Sequence, residues 1–170
     1  PLAHPVLRDI FNPRKKRATF SSRRLYLGYI VNKKHEVIDE VFAVFMRAPK
    51  TYTREDMAEI YSHGGFATQK NILTLVTDSG VRLAKPGEFT KRAFLNGRID
   101  LLQAESVLDL VQSETEEELK CALEHLRGAL SQKINSLKEN IVNVLVDTEA
   151  LIDFSDEDIE IDEEGNNAVL

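Results

Sequence analysis

The chain has 170 residues, of which 42% are apolar and 29% are charged, so it can bury the core of one large domain or two small ones. Its single cysteine, Cys121, excludes a disulfide framework within one chain and is typical of a reducing cytoplasm. No apolar run approaches the roughly 18 residues of a membrane-spanning helix, and no signal-peptide pattern is present. We interpret Cys121 as a structural residue, without a nearby His or second Cys for a metal or nucleophile pair.

The net charge of −6 is distributed unevenly along the chain. Residues 1–98 carry 18 Lys and Arg against 9 Asp and Glu, whereas residues 99–170 carry 4 against 19. This division is typical of two domains or of an acidic tail. A basic first half attracts anionic partners such as RNA, a phosphate or a polyglutamate chain, but ordinary surface charge explains it equally well.

The first residues predict a short helix followed by a loop. Leu7, Ile10 and Phe11 have helical spacing. Residues 12–22 contain few apolar side chains and predict a loop, which includes the run Arg14-Lys15-Lys16-Arg17. Solvation of these four cations is favoured over a nucleic-acid contact.

Two strands then form a predicted hairpin. Residues 25–31 are rich in aromatic and β-branched side chains, a polar turn follows at residues 32–35, and residues 37–46 continue as a second strand. Both faces of the second strand are apolar, which predicts a central strand covered on both sides.

The next segment predicts a βαβ unit. Residues 57–61 read as a short strand or a helical turn, and residues 68–77 as a helix that ends at Ser79-Gly80. Residues 81–84 are predicted to form a further strand, and the order strand, helix, strand favours a parallel crossover.

After Arg98 the pattern is helical. Asp100 and Gln103 have the spacing of a capping box, and Ser113-Glu114-Thr115-Glu116 is predicted to repeat it. Gly128 is expected to break or bend the following helix. An apolar seam runs through this half and is predicted to pack as core: Leu119, Leu123, Leu126, Leu130, Ile134, Leu137, Ile141, Leu145, Leu151 and Ile152.

Several chemistries lack their sequence motifs. No phosphate-binding loop, no Ser-His-Asp arrangement and no zinc spacing occurs, so we predict no catalytic and no metal-ligating residue. Eight of the twelve residues from Asp153 to Glu164 are acidic, but they lack the glycine and terminal glutamate of a calcium loop. A solvated tail is favoured there.

Two local clusters remain as candidates. The first contains Glu55, Asp56 and Glu59 before His63-Gly64-Gly65. A carboxylate can accept two parallel N–H bonds from the amidine-like edge of a pterin or guanine ring. Spacing alone favours helix capping and a turn.

The second cluster spans residues 86–98 and predicts a turn, a short basic helix and a stop at Asn96-Gly97. Phe89 and Ala93 are predicted to face inward, and Glu88 to complement the helix dipole. Arg98 then lies between two helices, where it can either clamp an anionic group or remain a surface side chain.

These motifs together resemble the tRNA-modification GTPase family MnmE/TrmE. The run PGEFTKRAFLNGRIDL at residues 86–101, followed by Gln103-Ala104-Glu105, is similar to the hallmark of that family. Further matches in the same order are Ile38-Asp39-Glu40, Tyr52-Thr53-Arg54-Glu55-Asp56, Glu59, His63-Gly64-Gly65 and Ile152-Asp153-Phe154.

The resemblance implies an α+β protein, in which a mixed α/β, folate-binding-like domain precedes an all-α segment. Residues 1–98 would be the folate-binding and dimerisation domain, residues 99–154 part of a helical domain, and residues 155–170 an acidic tail or linker. It also implies 5-formyl-tetrahydrofolate as the cofactor, bound by Glu59 and by Arg98, where relatives often have Lys.

The implied partners are a second copy of the chain, a flavin-dependent tRNA-modification protein and tRNA, in the cytoplasm and without a membrane. The family's first strand, its GTPase domain with GTP, Mg²⁺ and K⁺, and its C-terminal cysteine motif have no counterpart in this sequence. We therefore expect no GTP hydrolysis by this chain alone. Two alternatives stay open: a nucleic-acid-binding module, and a structural dimerisation module without folate.

Overall fold

A computed structural model describes residues 2–15 and 20–153. The first part contains α1 (Ala3–Ile10), β1 (Phe11–Pro13), β2 (Leu25–Val31), β3 (Val37–Met46) and β4 (Met57–Tyr61). The helices α2 (Phe66–Asp78), α3 (Glu88–Leu95), α4 (Leu101–Gln112), α5 (Glu116–Leu126) and α6 (Ala129–Asp153) follow. An α+β fold with a helical second part is confirmed.

The four strands form one antiparallel sheet in the order β1-β2-β3-β4. The predicted hairpin is confirmed with the predicted bounds. Residues 12 and 13, which the sequence assigned to a loop, belong instead to β1, where Pro13 is tolerated because β1 is an edge strand.

The predicted βαβ unit is wrong. Residues 81–84 form no strand, and β4 pairs with β3 in the antiparallel direction. Arg82 bonds both carboxylate oxygens of Glu88, at 2.8 and 2.6 Å, which holds this segment against the start of α3.

The core lies between one face of the sheet and the helices α1 and α2. Alternate residues of β3, namely Val41, Ala43 and Phe45, point into it and are each at most 2% exposed. Phe11, predicted to be helical, contributes from β1 instead. The core is completed by Val6, Leu7, Ile10, Tyr26, Ile30, Ile72 and Leu75.

The opposite face of the sheet is only partly covered. Phe42 is 46% exposed, and Leu25 and Tyr61 are also exposed, although Val44 between them is buried. The prediction that β3 is covered on both sides is therefore wrong at Phe42. We call the residues of this face the open sheet face: Leu25, Leu27, Phe42, Val44, Met46, Met57, Glu59 and Tyr61.

Side-chain caps define the start of α4 and α5. Asp100 and Gln103 form the predicted capping box. The second capping box begins at Thr115, with Glu118 as its partner, and not at Ser113. Ser113 instead donates its hydroxyl to the carbonyl of Asp109 at 2.7 Å, so it ends α4.

Most of the helical seam is exposed among the described residues, contrary to the prediction that it packs as core, and only Leu126 and Leu130 are half-buried. Along α6, Ile134, Leu137, Ile141 and Leu145 are 46 to 60% exposed. The contacts between α4, α5 and α6 bury small side chains instead, namely Ser106, Ala122 and Ser131. As predicted, α5 ends before Gly128, whose φ of +92° favours glycine.

Cys121 is exposed, and its sulfur lies 3.7 Å from Nε2 of His125, one helical turn later. The interpretation of Cys121 as a residue without a nearby His is therefore wrong. None of the helices in the described part of the chain is long and apolar enough to cross a bilayer. The predicted acidic tail, residues 155–170, lies outside the described residues.

Candidate functional site

Arg98 is held at the turn between α3 and α4. Gly97, with a φ of +67°, ends α3 as predicted, and the N–H of Arg98 bonds the carbonyl of Ala93 at 2.9 Å. The guanidinium donates to the carbonyl of Thr51 at 3.3 Å and lies 5.5 Å from the ring centre of Tyr52. These contacts position the exposed cation without neutralising it.

The loop between β3 and β4 is fixed against the same turn. Asn96 donates its amide to the carbonyl of Thr53 at 2.6 Å, and Arg54 donates to the carbonyl of Asn96 at 3.1 Å. Thr51 and Thr53 are both buried, and the Thr51 hydroxyl bonds the carbonyl of Glu55 at 2.7 Å. Arg98 therefore contacts a rigid loop.

Glu59 lies in the middle of β4, opposite Val44, on the open sheet face. The hydroxyl of Tyr61 donates to Oε2 of Glu59, and this hydrogen bond raises the pKa of Tyr61 above its ordinary value. Oε1 of Glu59 has no hydrogen bond within the described chain, so it can still accept a donor from a ligand.

Glu59 and Arg98 do not touch each other. Within the described residues they share no hydrogen bond and no ion pair. They are linked through one continuous segment, since Arg98 contacts Thr51 and Tyr52, and Glu59 follows in β4. Neither side chain therefore neutralises the other, and each can contact a ligand.

Two of the quoted motifs meet although 24 residues separate them. Asp39 accepts the backbone N–H of His63 at 2.9 Å with one oxygen, and its other oxygen lies 2.8 Å from Nδ1 of His63. Desolvation acts to raise the pKa of Asp39, but the hydrogen bonds from His63 outweigh it and lower the pKa overall. This contact fixes the start of the turn that leads into α2.

The sequence did not indicate an ion-pair network at the start of α3. The carboxylate of Glu88 bonds Arg82 through both oxygens and also lies 2.9 Å from Nη2 of Arg92. Arg92 in turn lies 3.2 Å from Glu55. The only sequence signal was the acidic residue at the helix N-terminus, because the partners come from separate segments.

The network borders a largely apolar cavity of about 570 Å³. The cavity lies between α1, β4 and α3, and its lining includes Leu7, Ile60 and Phe89. Phe89, predicted to face inward, is 53% exposed and lines this cavity, whereas Ala93 is fully buried as predicted. Neither Glu59 nor Arg98 lines it.

Protonation of Glu88 is expected only in strong acid. Hydrogen bonds from Arg82, and then from the backbone of Lys85, lower the pKa of Glu88 from its ordinary value of 4.5 to about 2. Because the pKa is lower in the folded state, the stabilisation is present above pH 4.5 and is lost as the pH falls towards 2. Carboxyl NMR titration should give a midpoint near 2.

The variant Arg82→Ala should move this midpoint up towards the ordinary value, because it removes the principal hydrogen bonds to Glu88. Lys91→Ala, which removes an exposed cation of the same helix with no ion pair in the described chain, should leave the midpoint unchanged. A midpoint near 4.5 in the unaltered protein would show that the network does not form in solution.

Family models cover nearly the whole chain. Residues 1–98 match the model described as GTP-binding protein TrmE N-terminus, and residues 101–169 match the model described as MnmE helical domain. The two models meet at the turn that carries Arg98.

Relatives agree with the family models. The chain is 46% identical over 158 residues to the tRNA modification GTPase MnmE of Natranaerobius thermophilus, covering 92% of this chain and 34% of that protein. It is 49% identical over 142 residues to the MnmE of Alkaliphilus oremlandii, covering 83% of this chain and 31% of that protein. The chain thus spans about a third of the length of these relatives, and it belongs to the tRNA modification GTPase MnmE family.

Proposed function

We propose that this chain is the N-terminal part of a tRNA-modification GTPase, in which residues 1–98 bind 5-formyl-tetrahydrofolate and associate with a second copy. Residues 99–154 form part of the helical domain. The full-length protein hydrolyses GTP in a separate domain with Mg²⁺ and K⁺, and acts in the cytoplasm with a flavin-dependent partner on the wobble uridine of tRNA.

The observation that carries the folate proposal is the placement of Arg98. Its guanidinium is exposed, is held by the carbonyl of Thr51 and the ring of Tyr52, and has no carboxylate partner among the described residues. A positioned cation of this kind suits the carboxylates of the folate glutamate chain, to which it can donate two parallel hydrogen bonds.

Glu59 suits the opposite end of the cofactor. A pterin ring presents neighbouring N–H groups, which a carboxylate accepts. Oε1 of Glu59 is available for such a bond, while the Tyr61 hydroxyl orients the other oxygen. Folate carries its pterin and its carboxylates at opposite ends, so in this proposal one molecule offers the pterin to Glu59 and a carboxylate to Arg98.

Association with a second copy is supported by the open sheet face. The apolar side chains of Leu25 and Phe42 and the ring of Tyr61 are each about half exposed on this face. Burial of such a surface contributes about 25 cal/mol for each Å² removed from water. Glu59 lies on this face, so a second copy seated there also encloses the proposed pterin position.

Titration calorimetry of the full-length protein with 5-formyl-tetrahydrofolate tests the proposal. Glu59→Ala and Arg98→Ala are each expected to weaken binding at least about tenfold, because a hydrogen bond to a charged group contributes about 1.5–3 kcal/mol. Lys91→Ala is the matched control and should bind normally.

Unchanged affinity in both site variants would contradict the folate assignment. Sedimentation with and without the cofactor distinguishes the folate-binding dimer from a dimerisation module that binds no folate. A stable dimer that binds no folate would identify a structural dimerisation module.

A further inference from the structure

A group of exposed cations lies at one end of the sheet, in the segments 21–24 and 47–54. We call it the sheet-end patch, and its members are Arg23, Arg24, Arg47, Lys50 and Arg54. The first segment leads into β2 and the second follows β3, so antiparallel pairing brings the two together. The polar turn of the same hairpin, residues 32–36, lies at the opposite end.

Hydrogen bonds join the segments that carry the patch. Arg23 donates from Nη2 to the carbonyl of Lys50 at 3.1 Å, and the N–H of Arg47 bonds the hydroxyl of Ser22 at 3.0 Å. Arg54 extends the connection to the turn after α3 through its bond to the carbonyl of Asn96. The two segments that carry the five cations are therefore held together.

The charge of the patch is not neutralised within the described chain. Arg23 and Arg54 donate to carbonyls rather than to carboxylates, and none of the five cations takes part in an ion pair among the described residues. The two carboxylates next in the sequence bond other groups: Glu55 forms an ion pair with Arg92, and Asp56 accepts the N–H of Ala48 at 2.9 Å.

Two arginines of the patch adopt a backbone conformation that residues with a Cβ atom rarely take. Arg23 has a φ of +62° and Arg54 a φ of +57°, both in the left-handed region. For a residue with a Cβ atom this conformation costs about 1–2 kcal/mol of conformational free energy, whereas glycine adopts it without that cost. The backbone alone would therefore favour glycine at both positions.

We propose that the sheet-end patch binds the phosphodiester backbone of RNA. Planar guanidinium groups match phosphate oxygens in paired hydrogen bonds, and four of the five cations are arginines. An acidic polypeptide offers the same sign of charge, but the family's activity on tRNA favours RNA. The choice of tRNA as the RNA rests on the proposed function.

The position of the patch relates RNA binding to the candidate folate site. Arg98 donates to the carbonyl of Thr51, the residue directly after Lys50. The ring of Tyr52, against the same guanidinium, provides an aromatic surface on which a base can stack. RNA on the patch therefore runs beside the proposed one-carbon donor.

Fluorescence anisotropy with a labelled, unmodified tRNA transcript and the full-length protein tests the inference. The double variant Arg24→Gln, Lys50→Gln removes two cations whose side chains make no hydrogen bond within the described chain. It is expected to raise the Kd for tRNA about tenfold. The slope of log K against the logarithm of the salt concentration, measured between roughly 50 and 200 mM salt, should become shallower by about 1 to 2.

The matched control is the double variant Lys33→Gln, Lys34→Gln, which makes the same charge change in the turn at the opposite end of the hairpin. It should bind tRNA normally. Equal weakening in both double variants, or in neither, would overturn the proposal. If the patch variant Arg24→Gln, Lys50→Gln loses binding to polyglutamate but still binds tRNA normally, the proposal is overturned in favour of an acidic protein partner.

Calorimetry with 5-formyl-tetrahydrofolate on the same proteins keeps the two proposals separate. Normal folate affinity with weakened tRNA binding in the patch variant supports the inference. A second outcome is that neither the unaltered protein nor any variant binds folate, while tRNA binding is weakened in the patch variant alone. This result would contradict the folate proposal and support the RNA-binding surface.

Discussion

Alanine at position 28 is expected to lower the free energy of unfolding by about 3 kcal/mol, because the sheet has no room for one methyl group there. Gly28 lies in β2 between Pro13 of β1 and Val41 of β3. A Cβ atom at this position would meet the carbonyl oxygen of Asn12 and lie 2.6 Å from Cζ of Phe11. Both contacts are with β1, one with its backbone and one with a buried ring, and neither group can move away easily.

Gly64→Ala is the matched control, since nothing lies within 4 Å of a Cβ atom at Gly64 and its φ is outside the left-handed region. Its free energy of unfolding should change by no more than about 0.5 kcal/mol. Urea denaturation followed by circular dichroism measures both variants. Equal midpoints for Gly28→Ala and the unaltered chain would mean that β1 does not pack on β2 as described.

Local signals predicted the hairpin and the helix ends well. Aromatic and β-branched residues indicate both strands. Asp100 and Gln103 specify the cap of α4 through their side chains, and Gly97 specifies the stop of α3 because it has none. Such signals depend on residues only a few positions apart, so they can be recognised in a single sequence without knowledge of the fold.

Long-range contacts were the part that the sequence could not supply. Asp39 meets His63 across 24 positions, and Glu55 meets Arg92 across 37. Residues 81–84 are predicted to form a strand, but they pair with no strand, and Arg82 forms an ion pair with Glu88. Local propensity is a weak preference that such tertiary contacts override.

At the candidate site, too, local features were predicted from the sequence and long-range contacts were not. The turn that places Arg98 was predicted from Asn96-Gly97, and the structure adds its contacts with Thr51 and Tyr52. The position of Glu59 on the open sheet face, beside Tyr61, depends on strand pairing that spacing did not determine. Roles in folate binding for both residues remain predictions that calorimetry can test.

Loss of a phenylalanine ring is expected to lower the free energy of unfolding far more on one face of β3 than on the other. Phe45 is 2% exposed and its ring centre lies 4.6 Å from that of His4, so Phe45→Ala leaves a cavity in the core. This variant should lose about 3–5 kcal/mol of unfolding free energy. Its circular dichroism signal should therefore disappear at a lower urea concentration.

Phe42 lies three residues earlier on the same strand, and the alternation of side chains places it on the open sheet face, where it is 46% exposed. Phe42→Ala should change the unfolding free energy by less than about 1 kcal/mol, since water already reaches half of the ring. It should nevertheless weaken self-association in sedimentation equilibrium, because the proposed second copy would cover this ring. A loss of stability as large as that of Phe45→Ala would mean that the face is covered within one chain, and unchanged self-association would exclude this face as the contact between copies.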